Sequence, residues 1–162
     1  MFLRTEIMEE KKLVGCYKKM SFLNNMIKEL WQGFMPKRKT ISSVIGTELY
    51  SAEVYPPGFF ENYDPKNEFE KWAAVEVSDN SITPEGLEPL LFPKGLYAVF
   101  LHKGNASTAP KTYQYIFTQW LPSSGFKLDN RPHFAIMLEK YKQDDINSEE
   151  EIWIPVMRGA GG

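Results

Sequence analysis

Two carboxylates interrupt apolar, strand-like segments of this 162-residue chain, where a buried charge would need a partner. Glu139 follows Ile136-Met137-Leu138 and precedes Tyr141, so pleating puts it on one face with Met137 and Tyr141. Glu53 lies in the segment from Leu49 to Tyr55, where Leu49, Ser51, Glu53 and Tyr55 share a face. A carboxylate enclosed by aromatic side chains loses its hydration and resists ionisation until positive charge meets it. An organic cation supplies that charge, and each favourable ring face adds about 0.5 to 2 kcal/mol of cation–π attraction. On a solvated face the same residues would be ordinary surface acids. The exposed look of Tyr55-Pro-Pro-Gly58 favours that reading for Glu53.

Rings are available in quantity: four Trp, eight Tyr and eleven Phe. Trp31, Trp72, Trp120 and Trp153 fall on helix stripes and apolar strands, where each serves either as core or as pocket wall. Tyr97 is a further candidate for the wall, although its strand is apolar on both sides and does not reveal which face it occupies. The same carboxylate also allows a hydrolase, with Glu139 as general base on a water and Tyr141 orienting the substrate. One acid–base group supplies about 10²- to 10⁴-fold, enough for a reactive electrophile and too little for an amide. The chain carries no Gly-x-Ser-x-Gly, His-Glu-x-x-His, Cys-x-x-Cys or Gly-rich phosphate loop. With two His and one Cys, a metal site would have to be mostly carboxylate. The expectation is therefore binding rather than catalysis, with no metal and no cofactor.

The elements that position these residues come in two similar sets. Residues 13–22 read as a strand, 24–35 as a helix with the stripe Met26, Ile27, Leu30, Trp31, Phe34 and Met35, and 49–55 and 69–77 as strands. In the second set, 96–102 reads as a strand, Tyr113 to Leu121 as a helix with Pro110 in its first turn, and 134–141 and 152–156 as strands, with a loop from Asp144-Asp145 to Glu150. Glu53-Val-Tyr55 is echoed by Glu139-Lys-Tyr141, and the step from Asp64 to Trp72 by that from Asp145 to Trp153. Pro84, Gly86, Pro89, Pro93 and Gly95 mark residues 79–93 as a linker. This predicts a single domain over 1–157 made of repeats at about 5–78 and 94–157, with 158–162 a flexible tail. The fold class is α+β: duplicated βαββ units forming a curved antiparallel or mixed sheet with two helices on one side and a central pocket at the seam.

A net charge of −2 argues against nucleic acid as a direct partner, and the one basic run, Lys37-Arg38-Lys39, suits the negative end of the first helix. No apolar run is long enough to span a bilayer. The lone Cys16 and the lack of a signal segment lead us to expect a cytoplasmic protein.

Several stretches taken together resemble the GyrI-like small-molecule-binding family, which includes effector-binding domains of AraC-type and MerR-type transcription regulators. They are Gly95-Leu-Tyr97 to Gly104, Thr112-Tyr113 to Gly125, Glu139-Lys-Tyr141, and Glu151-Ile-Trp153-Ile-Pro155-Val156. The resemblance implies an aromatic pocket between the halves that binds lipophilic, often cationic compounds, with Glu139 as its acidic anchor. It also implies two lesser possibilities, hydrolysis of small strained electrophiles and a protein contact with gyrase or a regulator. The two repeats use nearly all of the chain, so a stand-alone form is expected, without a DNA-binding module.

Overall fold

The computed structural model describes residues 1–61, 64–104, 108–137 and 148–159. Among these residues nine strands form one antiparallel sheet: β1 (Phe2–Met8), β2 (Lys11–Met20), β3 (Leu49–Val54), β4 (Phe69–Val77), β5 (Glu88–Phe92), β6 (Gly95–Lys103), β7 (Phe126–Leu128), β8 (His133–Met137) and β9 (Glu149–Arg158). Their order is β1-β6-β9-β8-β3-β4-β2-β5, with β7 on the end of β9. Helix α1 (Ile27–Arg38) follows β2. After β6 comes a helical run of α2 (Ala109–Tyr115), a π turn (Ile116–Trp120) and α3 (Leu121–Ser124).

The strand order reads the same from both ends. In one half β2, β4 and β3 lie side by side; in the other β6, β9 and β8 do, and the halves meet where β3 pairs with β8. Each half is β-α-β-β in chain order, so the fold is the α+β duplication that the sequence predicts, with a wholly antiparallel sheet.

Two strands lie outside that scheme, and they are exchanged. β1 precedes β2 by two residues yet pairs with β6, while β5 precedes β6 by two residues yet pairs with β2. Each short connection therefore joins opposite margins of the sheet, which must curl until the margins meet there. The segment expected to be a linker thus contains β5. Pro89 is accommodated because β5 is an edge strand, where a missing N–H costs no ladder bond.

The curled, helix-free face carries a core of Met8, Leu13, Tyr50, Ala52, Trp72, Phe92, Tyr97, Val99, Phe134 and Trp153. Phe92 on the edge strand stacks on Phe134 in the middle of the sheet at 4.4 Å between centroids, which requires strong curvature. The other face carries both helices. Leu30 and Phe34 of α1 pack on Val14, Ala73, Val75 and Val77, and Ile116 packs on Ala98, Phe100, Ala135, Ile152 and Ile154.

The first helical N–H, of Ile27, is met by the Asn25 side chain. Pro122 sits in the first turn of α3. Having no N–H, it cannot close an ordinary turn, and the π turn just before it, with Leu121 N–H bonded to the Ile116 carbonyl, takes up the mismatch. Gly125, at φ 80°, ends the run in the left-handed conformation.

Candidate functional site

The helix face of the sheet has an unusual centre. One ladder row runs Ala73, Ser51, Ala135, Ile152 across β4, β3, β8 and β9, so its middle consists of small side chains on the seam between the halves. On one flank the row is Lys71, Glu53, His133; on the other it is Leu49, Met137, Glu150, His102. Two carboxylates, one ammonium and two imidazoles therefore surround a floor of small residues. All are buried: Glu53 is 5% exposed, Glu150 7%, Lys71 8%, and both histidines 4%.

Among the described residues the charges do not balance. The Lys71 ammonium donates to Glu53 Oε1, while Glu53 Oε2 has no hydrogen-bond partner among the described residues. Burial pushes the Glu150 carboxyl up to about 7; the Lys71 charge pulls it down and the Glu53 charge pushes it further up, so Glu150 lies within the field of both. His133 is held neutral, its pKa pushed down to about 3 by burial and by the Arg131 charge. His102 Nδ1 is 2.7 Å from Thr112 Oγ1, which ties it to α2.

Rings cover the Glu53 flank. Tyr55 meets His133 edge-on at 4.8 Å, and Phe60 lies over His133 and stacks on Phe117 of the π turn at 5.2 Å. The segment after β3 thus reaches from the first half to the helix of the second.

The residues singled out from sequence fall in several places. Glu53 is in the cluster just described. Trp72, Trp153 and Tyr97 are on the opposite face, in the helix-free core, where Tyr97 contacts Phe134 at 5.3 Å and Trp153 at 5.8 Å. Trp31 packs edge-on against Phe34 under α1, and Trp120 lies among Phe2, Phe100 and Phe126 under the second helix. Glu139 and Tyr141, with Asp144 and Asp145, lie outside the described residues. The echo between the halves also has structural content. Trp72 donates its indole N–H to Glu70 and Trp153 to Glu151, each two residues earlier on its own strand. Trp72 pairs with Ala52 and Trp153 with Phe134, so the ladder position matching Glu53 is Ala135.

Glu150 is the residue the sequence reading missed. The run Glu149-Glu150-Glu151 was expected in a loop, yet β9 begins at Glu149. The available signal was phase: Glu150, Ile152, Ile154 and Val156 alternate onto one face.

The chain matches the GyrI-like small molecule binding domain over residues 1–157. It belongs to the GyrI-like family. It is 28% identical over 135 residues to the transcriptional regulator BrlR of Pseudomonas aeruginosa, covering 80% of this chain and 46% of that protein. The chain thus spans about half the length of this regulator. The C-terminal domain of EcmrR has the same fold, with a TM-score of 0.71 at 17% identity over 98% of this chain and 99% of that one. So does SAV2435, whose structure holds tetraphenylphosphonium, with a TM-score of 0.70 at 15% identity over 97% and 94%. This GyrI-like domain is accordingly a small-molecule-binding domain related to the effector domains of transcription regulators. Among its described residues no helix is long and apolar enough to cross a membrane.

Proposed function

We propose that this domain binds a lipophilic organic cation on the small-residue floor between its helices, with Glu150 and Glu53 as the charge partners. The observation that carries the reading is the imbalance of the cluster: among the described residues two buried carboxylates face one ammonium, and one carboxylate oxygen is left without a hydrogen bond. Ionising Glu150 in the empty cluster is costly, which is why its carboxyl is pushed up to about 7, and a cation entering the site removes that cost. Tyr55, Phe60 and Phe117 supply ring faces next to it. That a protein of this fold holds a phosphonium supports the same chemistry. Glu139 and Tyr141 stay in the proposal on the sequence argument alone. Binding would serve to sequester the compound or to report its presence, as effector domains do.

Titrating tetraphenylphosphonium and the neutral triphenylphosphine oxide into wild type, Glu150→Gln, Glu53→Gln and Glu139→Gln by calorimetry tests this. Loss of one buried charge partner should weaken the cation by roughly 10- to 100-fold and leave the neutral compound within about twofold. Equal effects on both ligands in every variant would remove the charge argument.

Hydrolysis is a second reading, favoured by one specific feature. Glu150, pushed up to about 7 by burial, is suited to proton transfer near neutrality. Turnover of a reactive electrophile by wild type that is lost in Glu150→Gln would establish it.

A further inference from the structure

Lys71 occupies an awkward position in its ladder. Across the strands it is flanked by Lys18 on β2 and by Glu53 on β3, so one neighbour repels it and the other holds it. The contrast in exposure along this row is steep. Lys18 is half-buried, toward the open margin, whereas Lys71 is 8% exposed and Glu53 5%. An ammonium is a compact, strongly hydrated ion that gives up much of its water when buried. What keeps Lys71 in place is its bond to Glu53 Oε1.

We propose that Lys71 is the resting occupant of the ligand's charge site: an incoming cation takes Glu53 from the Lys71 ammonium, which returns to water on the Lys18 side. The inference rests on the cation-binding reading above and adds a competitor built into the chain. It also sets the class of ligand. A phosphonium, a quaternary ammonium or a ring-delocalised cation leaves little hydration behind on entry, while Lys71 regains a full shell on release, so the exchange runs forward. A primary ammonium on the same apolar body carries the same dehydration cost as Lys71 and gains nothing from the exchange. The buried cluster is never left with a bare Glu53 carboxylate, since the protein's own cation holds it until the ligand arrives. In this way the site avoids the cost of an empty buried charge without being closed to ligand.

Two measurements test it. Lys71→Met keeps the apolar stem and removes the charge; it should bind tetraphenylphosphonium at least about tenfold more tightly than wild type and triphenylphosphine oxide within about twofold. Lys71→Arg, which grips a carboxylate with two N–H groups, should bind the cation more weakly than wild type. Wild-type binding that Lys71→Met leaves unchanged or weakens overturns the inference while the cation reading stands. No binding of tetraphenylphosphonium by either protein overturns both. Because removing a buried partner can destabilise the fold, the second measurement uses wild type alone. Under limited amine-reactive labelling read by mass spectrometry, Lys71 should react slowly in the free protein and several-fold faster once tetraphenylphosphonium saturates it. Labelling that is unchanged or slowed by the ligand overturns the inference.

Discussion

Glu150 carries the most specific consequence at the scale of single residues. Its carboxyl has an ordinary value near 4.5 in the unfolded chain and about 7 in the fold, so the native state holds a proton through that window that the unfolded state has released. Stability contributed by this group is therefore present below about pH 4.5 and declines as pH rises toward 7, by at most about 3 kcal/mol. Denaturant unfolding of wild type and Glu150→Gln at several pH values should show the decline in the first protein and a flatter profile in the second; parallel profiles would count against a buried acid here. Ligand binding has the opposite slope. A cation needs the ionised carboxylate, so its affinity should fall as pH drops below 7. Among the described residues the other groups facing Glu150 are Lys71, Glu53 and the neighbouring His102, and neutral His133 adds no charge of its own. Glu53 was half legible: a charge interrupting an alternating strand singles it out, but Tyr55-Pro-Pro-Gly58 pointed to an exposed strand end, whereas Glu53 is buried under Tyr55 and Phe60 beside His133. Glu150 was not, because an unbroken acidic run reads as solvated loop until the pairing of β9 with β6 and β8 is known.

Among the elements, the central strands were the most legible: the expected 69–77 strand coincides with β4, and 49–55 and 96–102 differ from β3 and β6 by a residue at the ends. They are dense in apolar residues because one face packs under a helix and the other in the curled core, which marks the strand but leaves the face of a residue such as Tyr97 unread. β1 and β5 were not legible. Each pairs with a strand far from it in sequence, and Pro89 argues locally against a strand. Two substitutions test the packing described for these elements. Phe134 is 1% exposed and touches Tyr50, Phe92, Tyr97 and Trp153, so Phe134→Ala should cost about 3 to 5 kcal/mol in chemical denaturation. Gly15 has no room for a side chain, since an added Cβ would lie 2.0 Å from the Ala73 carbonyl oxygen and 2.7 Å from the Ala74 Cβ. Gly15→Ala should therefore destabilise the β2–β4 pairing, whereas Gly33→Ala, in open space on α1, should be neutral or slightly stabilising. Equal melting temperatures for the two alanine variants would contradict the close approach.

For the molecule as a whole, duplication explains why an acidic centre lies at the seam. β3 and β8 pair across the symmetry-like junction, and small residues at Ser51 and Ala135 leave the floor low where the two helices part. The reciprocal exchange of β1 and β5 locks the halves together, so neither half completes its sheet alone. The repeated tryptophans, which suggested the duplication, brace the curled face behind the site with their indole-to-glutamate bonds. Among the described residues, one half brings a carboxylate bonded to its own lysine, Glu53 with Lys71, and the other brings Glu150, whose ionisation burial opposes. Charge compensation at that seam is the central claim, and proton release on binding measures it most directly. Titrating tetraphenylphosphonium at pH 6 in buffers of different ionisation enthalpy should show proton release approaching one per ligand bound, since the ligand on the floor lies against Glu150 as well as Glu53, whereas Lys71 is bonded to Glu53, and Glu150, mostly protonated in the free domain, ionises in the complex. At pH 8.5 the release should nearly vanish, and in Glu150→Gln it should be absent at both values. Tight binding at pH 6 with no proton released by wild type would contradict the account.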